Sequence, residues 1–445
     1  MADSAVVVVG AGLSGLAAAI ELAESGHRVV VLERGAVVGG RTADWVEDGM
    51  RVESGLHRYL GFYTEFPRLI RRAGLRLDDL VVWQDEIEIR TPDGGSSAVF
   101  GVSMVHRPLE TIASALGNDE FLPMGQKLAL GRMLAAGAAS YVSHPGELDR
   151  RTVAELAAEH GVDETTIFRI LRPLTEGLFF VPPEEYSAYD FLGLIVPYWK
   201  SAVAARVGAF AGGMTEALAG PLAEHVRSLG GEVRTGEAVE ALLVKGGAVV
   251  GVATAAGVHR ADAVVLATGI GEAQALLSAA FGGADWLDGV LALRTTPSVT
   301  LQFELSAPSL PVDRATFGPG TLLASFTEQS RSTFRESAGR LSVIVASPEA
   351  HLATPVDELA RRVVADAARL GVELDGLVRD VRKVVFPMDF YSLRPGSEAL
   401  RPPQATPVRG LALAGDYTAQ PYLTTMEGAV ESGLRAANAV QEVLG

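Results

Sequence analysis

The chain has 445 residues, which is too long for one simple core and predicts two intertwined domains. Because 54 Asp and Glu outnumber 38 Lys and Arg, the formal net charge is −16, and a surface of that sign disfavours nucleic acid as a partner. The chain contains no cysteine, which excludes disulfides, thiolate metal sites, cysteine nucleophiles and a cysteinyl-linked cofactor.

The first elements predicted along the chain are a strand, a glycine turn, a helix and a second strand. Ala5–Val9 is a continuous apolar run, as expected for a buried parallel strand, and the second strand, Arg28–Leu32, ends at Glu33. An acid about 20 residues beyond the glycines is placed to bind ribose hydroxyls, which predicts a dinucleotide site. A structural turn and a solvated Glu33 are the alternatives. The turn carries the three glycines of G-x-G-x-x-G and the two residues between the second and third of them: Gly10, Gly12, Leu13, Ser14 and Gly15.

A second glycine motif follows that acid. Arg34 comes directly after Glu33, and Gly39, Gly40 and Arg41 stand shortly beyond the second strand. The pair of glycines with an Arg resembles the GG motif of FAD-dependent amine oxidases and carotenoid desaturases, where it lies against the pyrophosphate. The planar fork of Arg suits phosphate oxygens. The cofactor expected from this resemblance is noncovalently bound FAD.

No second dinucleotide site is predicted for NAD(P)H. Ala263–Ala267 is a good strand and Gly269 and Gly271 follow it, but the third motif position is Gln274. The Ala-Thr-Gly end of this strand instead resembles the strand that closes the FAD sheet in the same superfamily. We therefore expect electrons to leave to a quinone, to oxygen or to another small acceptor.

The order of elements predicts an α/β fold, with a Rossmann-type FAD-binding domain of the glutathione-reductase type interleaved with an α+β substrate-binding domain. Residues 1–60, 208–294 and 401–445 are assigned to the first domain, and residues 61–207 and 295–400 to the second. In this superfamily the strand near Val239 contacts adenine through its backbone, although Val239 could also belong to a plain strand.

Three segments carry a closer family resemblance. "GLHRYLGFYTEFPRLIRRAGL" from Gly55, "LAEHVRSLGGEVRTGEAVEAL", and the block from "YSLRPG" to "MEGAVESG" resemble the plant and cyanobacterial type of phytoene desaturase, within the flavin amine oxidase superfamily. The likeness covers most of the chain, and its terminal block is the most specific part. ζ-Carotene desaturases, hydroxysqualene dehydroxylases and carotene isomerases share much of the pattern, so the family is firmer than the substrate.

The resemblance implies FAD-dependent desaturation of a long apolar isoprenoid, with hydride transfer to flavin N5. Gly55, Leu56 and His57 would lie near the isoalloxazine ring, with His57 as a proton acceptor or flavin-orienting group, or as a structural histidine. Arg206 could orient a ring or quinone, or lie on the surface. The aromatic-rich stretch Leu178–Trp199 could line a substrate tunnel, or belong to the core.

The end of the chain is predicted to hold the flavin. A strand, Leu411–Ala414, runs into Gly415 and Asp416, and Thr424 and Glu427 match a capping box that would start the final helix. Free N–H groups of residues 425–428 would then stabilise the reduced ring. The cofactor-facing residues of this helix start are Thr425, Met426 and Ala429.

Other functions remain as alternatives. Many amine oxidases hold a Lys near flavin N5, but the corresponding strand, Thr296–Leu305, has none. An isomerase using reduced FAD is a further alternative, and the scattered histidines predict no metal site.

The amino terminus lacks a basic targeting region, and the apolar window Leu128–Val142 is interrupted by Arg132 and too short to span a bilayer. A cytoplasmic location is expected, with peripheral membrane contact left open.

Overall fold

The computed structural model describes residues 4–92, 95, 97–102, 117–200 and 204–445. Strands within these residues are numbered in chain order. They are β1 (Ala5–Val9), β2 (Arg28–Glu33), β3 (Asp44–Glu47), β4 (Met50–Glu53), β5 (Arg58–Leu60), β6 (Val81–Gln84), β7 (Glu86–Arg90), β8 (Ser97–Gly101), β9 (Val207–Phe210), β10 (Glu232–Thr235), β11 (Val239–Lys245), β12 (Ala248–Thr254), β13 (Gly257–Arg260), β14 (Ala263–Leu266), β15 (Thr295–Leu305), β16 (Ala315–Phe317), β17 (Leu323–Glu328), β18 (Gly339–Val345), β19 (Val378–Tyr391) and β20 (Leu411–Leu413).

The helices of the same residues are numbered likewise. They are α1 (Leu13–Glu24), α2 (Glu65–Arg72), α3 (Leu77–Leu80), α4 (Met124–Ser143), α5 (Pro145–Leu148), α6 (Val153–Glu159), α7 (Glu164–Thr166), α8 (Arg172–Phe179), α9 (Ala188–Lys200), α10 (Gly220–Ser228), α11 (Ile270–Phe281), α12 (Asp288–Ala292), α13 (Val356–Arg369) and α14 (Met426–Leu444). π-Helical turns at Ile167–Leu171 and Thr215–Ala219 lead into α8 and α10.

A five-stranded parallel sheet forms the centre of the cofactor half. Its order is β10-β2-β1-β14-β20, so β1 lies between β2, which follows the first helix, and β14, which precedes the last large insertion. The apolar run of β1 is explained by burial on both faces, since α1 packs on one side and the β11–β13 meander reaches β14 on the other. The α/β class and the parallel sheet expected from the sequence are confirmed.

A seven-stranded sheet forms the other half, in the order β19-β15-β18-β17-β16-β7-β8. Its pairs are antiparallel apart from the parallel pair of β16 with β7. All of its strands fall inside the segments assigned to the substrate domain. A small sheet, β5-β9-β6, crosses the proposed limits near residues 60 and 207. The domain limits therefore stay a prediction, and the two halves share this small sheet.

The final helix is held to the substrate half by Glu427, whose side chain is fully buried. Its Oε1 accepts hydrogen bonds from the backbone N–H of Thr64 at 2.6 Å and of Glu65 at 2.7 Å, and from the Thr64 hydroxyl at 2.8 Å. Its Oε2 accepts from the N–H of Phe66 at 2.9 Å. The carboxylate therefore caps the start of α2, where Thr64 makes no side-chain cap of its own.

The capping box expected from Thr424 and Glu427 is wrong. Thr425 is the N-cap of α14, and its hydroxyl accepts from the N–H of Gly428 at 3.1 Å. Glu427 lies in the first turn of α14 and faces the start of α2. The several unpaired N–H groups there bind its carboxylate more strongly than the single N–H of Thr424 would.

We expect Glu427→Gln to lower the free energy of unfolding by about 1–3 kcal/mol, because one amide oxygen replaces two carboxylate oxygens and the amide NH2 faces N–H donors. Thermal unfolding monitored by circular dichroism measures this loss. Glu442→Gln, at an exposed position in the last turn of the same helix, is the matched control and should change stability by less than about 0.5 kcal/mol. Equal effects of the two substitutions would contradict the capping role.

Candidate active site

The glycine turn between β1 and α1 forms one end of a large cavity. Gly10 has φ +103°, and a Cβ placed there would lie 2.7 Å from the carbonyl oxygen of Ala267 on the neighbouring strand end. A Cβ on Gly15 would lie 1.9 Å from the oxygen of Gly10, so this glycine lets α1 pack against the turn. Gly10, Gly12, Leu13 and Ser14 line the cavity, and Gly15 lies behind them.

Gly12 differs from Gly10 and Gly15 because a side chain at Gly12 would extend into the cavity and not into the protein. A Cβ built there would meet no protein atom nearer than the Gly40 Cα at 4.0 Å. Gly12 is also the N-cap of α1, and no side chain caps the helix at this end. Free N–H groups beside an uncrowded backbone are suited to a diphosphate, so the residues present fit the dinucleotide expected from the sequence.

The acid at the end of β2 shapes this turn as well as lining the cavity. The Glu33 carboxylate accepts hydrogen bonds from the N–H of Ala11 at 2.8 Å and of Gly35 at 2.7 Å. Arg34 lines the cavity beside it and pairs with Glu272 at 2.8 Å. Val239 lies on the same wall. The residues expected near the adenosine part of the cofactor are therefore brought together.

Arg41 lines the cavity beside the glycine turn. It follows Gly39 and Gly40, whose φ angles of +119° and +57° make the tight turn that brings the backbone against Gly12. The Arg41 guanidinium pairs with Asp416 at 2.6 Å and donates to the Thr424 hydroxyl at 3.4 Å. Although burial acts to lower the pKa of Arg41, the neighbouring carboxylates raise it, so the side chain stays charged.

His57 is the histidine that lines this cavity, together with Gly55 and Leu56. Burial lowers the pKa of His57 to about 4, and the charge of Arg41 acts in the same direction, while a hydrogen bond to the backbone of Gly55 opposes both. The imidazole is therefore neutral at neutral pH. A group with so low a pKa is a weak general base, and it is better suited to hydrogen bonding with a ligand than to accepting a proton.

The carboxyl-terminal segment closes the cofactor end. Gly415 follows β20 with φ +140°, and its N–H donates to the Ser432 hydroxyl at 2.9 Å. The residues of this segment that line the cavity are Gly415, Asp416, Thr424, Thr425, Met426 and Ala429. The expectation of free N–H groups across residues 425–428 needs correction, since the N–H of Gly428 donates to the Thr425 hydroxyl within the helix start itself.

The other end of the cavity is apolar. Its walls come from β5, α4, α8, α9 and β16 and include Leu56, Leu60, Leu134, Leu174, Leu178, Phe179, Phe180, Leu194, Ile195, Tyr198 and Phe317. Arg58 is the charged residue described on this part of the wall, and it is paired with Asp313 at 2.6 Å. The whole cavity measures about 1440 Å³, above the roughly 300–1,000 Å³ that is usual for ligand pockets.

The structure supports part of the prediction for the stretch Leu178–Trp199 and does not support the prediction for Arg206. From Leu178–Trp199 the structure places Leu178, Phe179, Phe180, Leu194, Ile195 and Tyr198 on the cavity wall, whereas Tyr186 and Phe191 are buried in the core. The side chain of Trp199 lies outside the described residues. Arg206 is not on the wall. Its guanidinium stacks on Trp83 at 4.2 Å and pairs with Asp85 at 3.4 Å, so it does not reach a bound ring.

Several site residues were not expected from the sequence. Asp389, Ser298 and Tyr63 line the cavity, and Asp389 and Ser298 lie far in sequence from the glycine motifs of the amino terminus. Thr268, Gly269 and Glu272 also line this cavity. The Gly269 and Gly271 motif after β14 therefore belongs to the same site and does not form a separate dinucleotide site. Within the described residues, no group of three or more His, Asp or Glu side chains is placed to hold a metal ion.

The sequence profile of the flavin-containing amine oxidoreductases matches residues 13–441, and the chain belongs to this family. The protein is thus an FAD-dependent oxidoreductase. No cysteine is present to form a cysteinyl link to the flavin. Bound FAD supplies the chemistry of accepting hydride, while the protein binds and orients it.

Two curated relatives come from Synechococcus elongatus. The chain is 26% identical to a 15-cis-phytoene desaturase over 454 residues, covering 98% of this chain and 95% of that one. It is 28% identical to a probable zeta-carotene desaturase over 484 residues, covering 98% of each.

Two solved structures share the fold. An oxidoreductase from Methanosarcina mazei superposes with a TM-score of 0.77 at 17% identity, covering 98% of this chain and all of that chain. A double mutant of putrescine oxidase superposes with a TM-score of 0.76 at 17% identity, covering 99% of each. At this identity the likeness concerns the fold alone.

We expect Gly12→Ala to weaken FAD binding by roughly tenfold or more while leaving thermal stability of the FAD-free protein nearly unchanged, because the added methyl group faces only the cavity. Flavin fluorescence titration measures the affinity. Gly15→Ala is the contrasting variant, since its methyl group would collide with the oxygen of Gly10 and lower the unfolding temperature itself. Retention of normal FAD affinity by Gly12→Ala would contradict the placement of the diphosphate.

Proposed function

We propose that this protein is an FAD-dependent desaturase of a long apolar isoprenoid of the phytoene or carotenoid type. The observation that carries the proposal is the continuous cavity, which runs from the glycine turn into a wall built almost wholly of Leu, Ile and Phe side chains. The similarity to two desaturases of carotenoid precursors over nearly the whole chain supports the same class of substrate.

The apolar wall would do two things in this reaction. It would align a flexible hydrocarbon by contact area alone, because such a substrate offers no hydrogen-bonding groups. It would also exclude water from the carbon atoms that lose hydride and proton. The neutral His57 and the ion pair of Arg41 with Asp416 would orient the cofactor at the junction between the two ends of the cavity.

Amine oxidation fits the site less well. β15 carries no lysine, and Lys383 on the paired strand donates its ammonium hydrogens to the carbonyl oxygens of His351, Leu352 and Thr354. Lys127 and Lys245 also lie off the cavity wall. The charged side chain described in the apolar end, Arg58, is paired with Asp313, so this end presents no free carboxylate described in the structure to bind an ammonium substrate.

The electron acceptor is proposed to be a quinone or oxygen. The described residues offer one dinucleotide site, and Gly269, the first glycine of the second candidate motif, lines this same cavity. An apolar quinone could enter by the same cavity as the substrate, whereas NAD(P)H has no separate docking place there.

An anaerobic substrate screen tests the main proposal. We expect a phytoene-like polyene precursor, supplied in lipid vesicles, to bleach the visible flavin absorption of the holoenzyme, while primary mono- and diamines leave it unchanged. A fully saturated isoprenoid of equal length is the control, because it lacks the activated C–H bonds. Bleaching by amines and not by the polyene would overturn the proposal in favour of amine oxidation.

The variant Leu174→Glu adds a second arm to this screen. It places a carboxylate in the apolar wall, which we expect to abolish bleaching by the polyene while FAD content is retained.

Peripheral membrane contact is proposed from one helix. Within the described residues, no helix combines the length and the apolar character needed to cross a bilayer. Helix α4, however, contributes Leu134 to the cavity wall and exposes a stripe at helical spacing consisting of Met124, Leu128, Gly131, Ala135, Ala139 and Val142. Leu128 and Val142 are 59% and 79% exposed. A stripe of this kind beside an apolar cavity is suited to the surface of a bilayer.

We expect the double variant Leu128→Glu, Val142→Glu to reduce co-sedimentation with phosphatidylcholine vesicles by about tenfold, because two carboxylates replace apolar side chains at the lipid surface. Val258→Glu, at a 56% exposed position on the β11–β13 meander, is the matched control. Equal sedimentation of both variants and the unmodified protein would contradict membrane contact through α4.

A further inference from the structure

Arg41 is shared between two carboxylates on the cavity wall. Its Nη2 lies 2.6 Å from Asp416 Oδ1, and its Nε lies 3.8 Å from Asp389 Oδ1. Both acids are largely removed from solvent, with side chains 6% and 12% exposed. The cation expected to face the diphosphate is thus already neutralised inside the protein.

The surroundings add no surplus of positive charge. The charged residues lining the cofactor end are Glu33, Arg34, Arg41, Glu272, Asp389 and Asp416. The second cation, Arg34, is paired with Glu272. If all of these groups were ionised, four carboxylates would face two guanidinium groups, and the diphosphate would bring further negative charge into a poorly solvated space.

Asp389 is placed in the cavity by an irregularity in β19. The register of β19 on β15 shifts between Phe386 and Phe390, where Pro387 has no N–H to give to the ladder. Met388 and Asp389 leave the pairing there and line the cavity. The Oδ1 of Asp389 is buried and has no hydrogen-bond partner among the described residues, so an ionised carboxylate would hold an unsatisfied oxygen there.

We propose that Asp389 is a cofactor-binding residue that is protonated when FAD is bound, so that FAD binding is coupled to the uptake of one proton from solvent. A protonated carboxyl carries no charge and can donate a hydrogen bond to an oxygen of the cofactor. The proposal rests on the assignment of FAD and not on the substrate.

The groups that face Asp389 support this protonation state. Burial raises the pKa of Asp389, and the negative charge of Asp416 acts in the same direction, while Arg41 and a hydrogen bond from Ser298 oppose it. An added diphosphate would raise the pKa of Asp389 further. Because the bound state then holds the proton more tightly than the free state, FAD affinity should rise as the pH falls. His57 does not contribute near neutral pH, since its pKa is about 4.

Fluorescence titration of FAD at a series of pH values between about 6 and 8.5 tests the proposal. For the unmodified protein we expect the dissociation constant to increase with pH, by up to roughly tenfold per pH unit for one linked proton. Asp389→Asn should bind FAD at least as tightly at high pH and lose the pH dependence. Glu272→Gln, which removes a carboxylate from the same wall, is the matched control and should keep the slope.

A pH-independent affinity of the unmodified protein would overturn the proposal, as would a preserved slope or weaker binding in Asp389→Asn. Calorimetry of the unmodified holoenzyme reconstitution in buffers of different ionisation enthalpy provides a measurement that needs no variant. We expect the protein to take up a substantial fraction of a proton for each FAD bound near pH 7.5, with about one proton as the upper limit. The absence of proton uptake would also overturn the proposal. Neither readout depends on which substrate is oxidised.

Discussion

The close approach of the glycine turn to the ends of β1, β14 and the Gly39–Gly40 turn is the constraint on which the site depends. A single Cβ at Gly10 or Gly15 would push the turn away from β14 or from α1. Because these contacts are between backbones, the turn itself carries no bulky side chain where it meets the cavity. The glycine turn therefore presents main-chain N–H groups to the cofactor end of the cavity, and the carboxylate of Glu33 holds the turn through the N–H groups of Ala11 and Gly35.

The rest of the cofactor end is connected by charged side chains that reach between distant elements. Arg41 links the Gly39–Gly40 turn to the segment after β20 through Asp416, and Glu427 links the start of α14 to α2. Both connections are largely buried, so their loss would leave unpaired charges or donors and not merely remove a favourable contact. The substrate wall and the cofactor wall are therefore held in one arrangement, which is what transfer between two bound molecules requires.

The two ends of the cavity differ in chemical character because different halves of the fold supply them. The parallel sheet contributes strand ends and helix starts, which are polar because their backbone N–H and C=O groups are not all paired within the element. The helices α4, α8 and α9 contribute the apolar faces of side chains that would otherwise form an ordinary core. Phe179 and Phe180 face the cavity while Phe191 and Tyr186 are buried behind it, and no spacing within Leu178–Trp199 separates these two groups.

By itself the sequence determined the features that depend on neighbouring residues. The strands Ala5–Val9 and Arg28–Glu33, the glycine turn and the acid that follows are local patterns, and each leads to its structure through backbone conformation and periodicity. The same holds for Gly39, Gly40 and Arg41. The fold class and the cofactor followed from these segments because short-range geometry sets them.

Only the tertiary structure decided which distant side chains meet. Thr424 and Glu427 matched a capping box, yet Glu427 faces the unpaired N–H groups of α2, more than 350 positions away in the chain. Arg206 was a candidate for the site, but Trp83 and Asp85 hold it elsewhere. Asp389 has no motif around it and reaches the cavity through a register shift in β19. Charge pairing and packing act between elements, and their partners are set by the fold and not by position along the chain.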